Sequence, residues 1–281
     1  MLPHLRPLDT GEILDGAFRL YRTHFRAFLA AGLLPLSPLL LFWGYIAWQA
    51  AAGVPMNEQT TGELTTLLMF AGWVPALITR GIVIRMADDA QTGRPVNARA
   101  ATRDALRRFP ALLWASALTN VIIALPFLLG TALVVGLPGV TDFGVLAFFY
   151  VLFGLCSAAL AAAWSGTLPA VVLERTSGNA GRGRSWTLAR GGVGKVAAVW
   201  TIGVALVWLP WVAVEALLAF FTPSTETGTA FAVSSLLCQA SAAFTVPLVA
   251  AARTLLFNDL RVRVEALDVR LLAERLAPVA A

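Results

Sequence analysis

Six stretches of this chain, near 27–50, 64–87, 109–136, 144–173, 193–221 and 230–257, are apolar. Each is longer than the roughly 20 residues a helix needs to cross about 30 Å of hydrocarbon. Nothing else in the sequence limits the fold so tightly. Inside a bilayer every backbone N–H and C=O must find a partner within the protein, and a helix supplies those partners from one segment. The runs therefore predict an all-α polytopic membrane protein. They leave little room for charge: 13% of the 281 residues are Asp, Glu, Lys or Arg, where a soluble domain carries about 25%.

That charge is distributed by side. The short connections 51–63, 137–143 and 222–229 contain Glu58, Glu63, Asp142 and Glu226 but no Lys or Arg. Residues 80–108, 174–195, 253–275 and 1–26 hold seven, five, five and four basic residues, which together are all 21 of the chain's Lys and Arg. Positive loops stay in the cytoplasm, so the expected topology is three antiparallel transmembrane hairpins with both termini cytoplasmic. The first run begins behind 26 residues and is too long for the core of a cleavable signal peptide; we read it as an uncleaved span. Twenty arginines against one lysine suggest a GC-rich, bacterial source and hence a bacterial inner membrane.

A single membrane domain is expected over 1–281, in three parts: 1–26, 27–257 and 258–281. The opening segment reads as an amphipathic helix begun by the capping pair Asp9 and Glu12. Ile13, Ala17, Leu20, Tyr21 and Phe25 share one face, with Arg19, Arg22 and Arg26 around the other. Two placements stay open: in the membrane interface against anionic headgroups, or on the protein's own inner surface. At the other end, Phe244 to Leu276 reads as one helix that leaves the bilayer at Arg253 and continues into water as a charged rod. Asp259/Arg263, Arg261/Glu265 and Arg270/Glu274 are spaced i,i+4, beside an apolar stripe of Leu256, Leu260, Leu267, Leu271 and Leu272.

The spans resemble one another in pairs. Each inner approach carries a related phrase: Ala17-Phe18-Arg19-Leu20-Tyr21-Arg22, Ala105-Leu106-Arg107-Arg108, and Ser185-Trp186-Thr187-Leu188-Ala189-Arg190. Each returning span carries a proline five or six residues before an arginine: Pro75 and Arg80, Pro169 and Arg175, Pro247 and Arg253. A threefold internal repeat is expected. Prolines in all six spans are hinges around a cavity or the ordinary prolines of membrane helices. Gly154, Ala158, Ala162 and Gly166 form a small-residue rail, which places the fourth span at the centre of the bundle.

Catalytic patterns are missing from the sequence. His4 and His24 are the only histidines, there is no HExxH and no GxSxG. Gly191-Gly192-Val193-Gly194-Lys195 looks like a phosphate loop but has Ala189 and Val196 where glycine and Ser/Thr are required. Cys156 and Cys238 sit inside apolar runs as small hydrophobes. No metal or other cofactor is expected. Basic residues flank spans rather than forming aromatic-interleaved patches, so lipid headgroups are expected as partners and nucleic acid is not. Glu215 is the one charge well inside a span, a ligand or proton site or else a solvated interfacial residue. Arg80, Arg85 and Arg253 at the inner ends serve as interface anchors or as substrate contacts. Asp259 and Arg261 are candidates for holding a cytoplasmic protein partner.

Leu5-Arg6-Pro7-Leu8, with Gly11-Glu12-Ile13-Leu14-Asp15-Gly16-Ala17-Phe18-Arg19-Leu20-Tyr21, resembles the opening of the bacterial glycerophosphoryl diester phosphodiesterase membrane-domain family. Thr254-Leu255-Leu256-Phe257-Asn258-Asp259-Leu260-Arg261-Val262-Arg263, then Glu265 and Asp268, resembles its closing phrase; Ser185-Trp186, Leu188 and Arg190 match one between. Phe257 stands where tyrosine is usual, Ala266 where glycine is usual, and Gly191 to Lys195 replaces a bulkier stretch. The resemblance implies a six-span membrane domain that in some proteins is fused to a phosphodiesterase. That enzyme's catalytic barrel has no room in this chain. The expected function is a non-catalytic membrane protein that organises partners or lipids at the inner leaflet; the alternative is a transporter or lipid-handling channel with Glu215 in its pathway.

Overall fold

The computed structural model describes residues 7–53, 63, 72–136, 143–221 and 227–266, all of them helix, turn or loop without a strand. The helices are α1 (Thr10–Thr23), α2 (Phe25–Ala51), α3 (Trp73–Gln91), α4 (Ala98–Arg107), α5 (Phe109–Gly136), α6 (Phe143–Ala163), α7 (Thr167–Leu173), α8 (Gly178–Arg190), α9 (Val193–Phe221) and α10 (Thr227–Glu265). Five stretches are long and apolar enough to cross a membrane: Phe25–Ala51, Phe109–Ala132, Ala147–Leu173, Val193–Phe220 and Ala230–Glu265. The sixth expected span, 64–87, is described from residue 72 onward, as the buried helix α3. The tips of the three short connections and the Arg270/Glu274 pair lie outside the described residues.

Local chemistry explains where the inner helices begin. Glu12 N–H donates to Asp9 Oδ1 at 2.7 Å and Asp9 N–H to Glu12 Oε2 at 2.9 Å, closing the expected capping box. Asn97 and Ser177 cap α4 and α8 in the same way, accepting from Ala100 N–H at 3.1 Å and Ala180 N–H at 3.4 Å. Pro169 interrupts the fourth span instead of bending it. Its ring would clash with the carbonyl four residues back, at Ser165, and the chain turns through Trp164–Gly166 between α6 and α7.

The inner helices close a ring. Gly81 of α3 packs against Ala105 of α4, Gly166 before α7 against Ser185 of α8, and Gly16 of α1 against Leu255 of α10. Thus α4 rests on α3, α8 on the turn before α7, and α1 on α10. Ala17, Ala105 and Ser185 are buried, while their neighbours Phe18, Leu106 and Trp186 are exposed. Ala17, Ala105 and Ser185 belong to the three related phrases noted in the sequence. Of the two placements open for α1, the structure packs its Ile13, Gly16 and Ala17 face onto the protein itself.

The core sits where α1, α2, α3, α8 and α10 meet, with Ile13, Phe28, Met86, Leu188 and Phe257 at most 1% exposed. In water, burying such a side chain is worth about 1.5–3 kcal/mol. Within the spans, contact depends on small residues, and α2 approaches α10 closely at Gly32 and Ala243. This corrects the placement of the fourth span. Only 6% of its most apolar window is buried, and nothing lies within 4 Å of where a Cβ on Gly154 would be. The central helix is α10, which packs against α1, α2, α3, α7, α8 and α9.

The charged rod is corrected as well. α10 ends at Glu265 because Ala266 turns left-handed, with φ 50°, and its N–H returns to Val262 O at 3.1 Å. Residues Leu255 to Leu260 are buried rather than solvated, since α1, α3 and α8 surround them. An alanine held left-handed is strained, so Ala266→Gly is expected to raise the unfolding midpoint, by about 1 kcal/mol of stability. A lower midpoint in detergent would contradict that helix stop.

Candidate functional site

Arg80 of α3 and Arg253 of α10 point into the same place. Two chambers meet there, and Arg80, Ser165, Leu168 and Arg253 line both. One, of about 160 Å³, is otherwise walled by apolar residues, Ile84 of α3, Pro169 of α7 and several of α9 and α10, among them Val204, Val207, Trp208 and Val249. The other, of about 250 Å³, is polar, with Ser116, Thr119 and Asn120 from α5, Thr167 from α7, and Trp164 and Trp200. Among the described residues no carboxylate lines either chamber. The two guanidiniums are near enough to repel one another.

Three polar atoms at this site are buried and without a hydrogen bond: Arg253 Nε, Thr119 Oγ1 and Thr167 Oγ1. A buried charge left unpaired is expensive, and a buried hydroxyl without a partner also carries a cost. Guanidinium and hydroxyl groups can both donate, so the set is suited to an anion.

The other candidate residues go elsewhere. Arg85 pairs with Asp89 at 3.4 Å, and Arg94 reaches Asp89 at 2.9 Å. Burial pushes the Asp89 carboxyl up, against the pull of those two arginines. Asn258, buried on α10, donates to Asp88 at 3.1 Å and Gln91 at 2.7 Å. Asp259 is fully buried and accepts from Leu8 N–H at 2.7 Å, Lys195 Nζ at 2.7 Å and Arg263 Nε at 3.1 Å. Arg263 and Lys195 also donate to the Leu8 carbonyl. Arg261 pairs with Glu174 at 3.1 Å and Glu265 at 3.7 Å. Arg184 joins both carboxylates, and its bonds to Glu174 and then Glu265 raise its pKa and keep it charged. Asp259 and Arg261 are therefore engaged within the chain itself.

Glu215 stands on the exposed side of α9 and lines neither chamber. Arg175, where the repeat would set a third arginine, lies in the loop after α7 with φ 57°. Ser165 contributes from that copy instead. The sequence reading missed Thr119, Thr167 and Ser165 as site residues, and Lys195 as the partner of Asp259. The signal for Arg80 and Arg253 was their place at the ends of apolar runs, which they share with Arg85. Among the described residues no group of three or more His, Cys, Asp and Glu is placed to hold a metal ion.

No family model matches the chain, and no curated protein or solved structure matches it either. The likeness to a membrane-domain family rests on the residues at the two ends.

Proposed function

We propose that this is a non-catalytic bacterial inner-membrane protein that holds an anionic ligand between its returning spans, at the inner leaflet. In this reading α2/α3, α5/α6–α7 and α9/α10 are three hairpins, six spans in all, with both termini cytoplasmic. The absence of Lys and Arg from the three short connections supports that orientation, and the members of each pair pack together. The observation that carries the ligand is the pair Arg80 and Arg253, which share a cavity lined by buried, unpartnered donors and, among the described residues, no carboxylate.

Thermal unfolding in a neutral maltoside detergent tests it. Inorganic phosphate, octanoate and dioctanoyl phosphatidylglycerol are the probes. At a hundred times its dissociation constant a ligand adds about 2.7 kcal/mol, so at least one anion should raise the midpoint of the wild type. Arg80→Gln/Arg253→Gln should abolish that rise and, without ligand, should melt no lower than wild type, since two unpaired charges have been removed. Glu215→Gln is the control and should change stability by no more than about 0.5 kcal/mol. Full stabilisation of the double variant by the same anion would end the proposal.

A further inference from the structure

The two chambers that meet at the arginines differ in chemistry, and a ligand filling both must differ along its length in the same way. The polar one offers hydroxyls and Asn120; the other offers valines, Trp208 and the Leu168 side chain. Both reach the outside of the bundle on its apolar flank. Asn120 is exposed beside Val121, and Trp208 beside Leu209; Val121 and Leu209 are each 63% exposed.

Depth points the same way. From Ala230 to Ala252, α10 carries no charge, and those 23 residues at 1.5 Å each cover about 34 Å, close to the ~30 Å of a bilayer core. Arg253 follows at once, so the pair stands level with the phosphates of the adjoining leaflet. An arginine there can ordinarily turn outward to the headgroups. These two instead line an internal cavity.

We infer that the ligand is a phosphate ester carried on acyl chains. Its phosphate lies between Arg80 and Arg253, its polar headgroup in the α5 chamber, and the start of one chain in the α9–α10 chamber. The inference rests on the anion reading above and names its ligand class. The two non-bridging oxygens of a phosphate diester leave a tetrahedral centre, so Arg80, Arg253 and the hydroxyls of Thr119 and Thr167 can approach them from different sides; the two oxygens of a carboxylate lie in one plane with the carbon that bears them. An apolar cavity of about 150 Å³ accepts a benzene, so the 160 Å³ chamber takes only the first several carbons. The rest of the chain leaves past Trp208 into the bilayer.

Four probes in the same detergent separate the possibilities: dioctanoyl phosphatidylglycerol, inorganic phosphate, octanoate and dioctanoylglycerol. Wild type is expected to bind the phospholipid at least about tenfold more tightly than the other three, the loss of one charge-assisted bond being worth about that factor. Thr119→Val, which keeps the shape and removes one donor, should weaken the phospholipid about tenfold. Val207→Trp, which fills the apolar chamber, should reduce it to the level of inorganic phosphate. Equal binding of inorganic phosphate, or of octanoate, overturns the phosphate-lipid assignment and leaves the anion reading standing. Equal binding of dioctanoylglycerol, or no binding of any probe, overturns both.

Discussion

Asp259→Ala is expected to cost about 3–5 kcal/mol of stability, the loss that follows when one partner of a buried ion pair is removed. The Asp259 carboxylate is wholly enclosed and accepts from an ammonium, a guanidinium and the backbone N–H of Leu8. Without it Lys195, whose side chain is 15% exposed, keeps only the Leu8 carbonyl, and the Leu8 N–H has no acceptor. Asp259→Asn retains an acceptor for that N–H and should lose less. Thermal unfolding of the three proteins in one detergent reads the order. An Asp259→Ala protein as stable as wild type would mean that these contacts do not hold the inner cap together.

The second large effect belongs inside the membrane. A Cβ added at Gly32 would stand 2.1 Å from the carbonyl oxygen of Ala243, a backbone atom that cannot turn aside. Gly32→Ala must therefore push α2 and α10 apart, and overpacking of this kind costs about 1–3 kcal/mol or more. α10 touches most of the other helices, so the displacement should also lower the yield of monodisperse protein. Gly44 lies on the same helix with nothing within 4 Å. Gly44→Ala should be neutral or slightly stabilising, alanine being the better helix former. Equal losses at Gly32 and Gly44 would remove the close contact as their cause.

The contrast between those two glycines marks what the sequence could tell. Both lie in one uniformly apolar run. A helix apolar on every side has no moment to say which face meets protein and which meets lipid. The five long apolar helices and the Asp9–Glu12 cap were legible because each depends on a few neighbouring residues. The fourth span was misplaced because its small residues look alike whether they face a helix or a lipid tail. Asp259 and Arg263 are spaced four apart in a solvated helix and in a buried one, so their burial could not be read. The arginine pair was half legible: position at the span ends named Arg80 and Arg253 along with Arg85, but only the fold shows that the first two share a cavity with Thr119 and Thr167.

The ring of inner helices has a consequence for how the protein is made. Leu8 and Asp259 are 251 residues apart in the chain. At 5–20 residues per second, synthesis between them takes on the order of 10–50 s. Throughout that interval α1 is finished but its docking surface on α10 does not exist, and Ile13 and Ala17 must be sheltered by the membrane surface or by the insertion machinery. Completion of α10 therefore supplies the surface on which α1 docks. A chain stopped before Asp259 leaves the Leu8 N–H without this acceptor and Lys195 without its carboxylate partner.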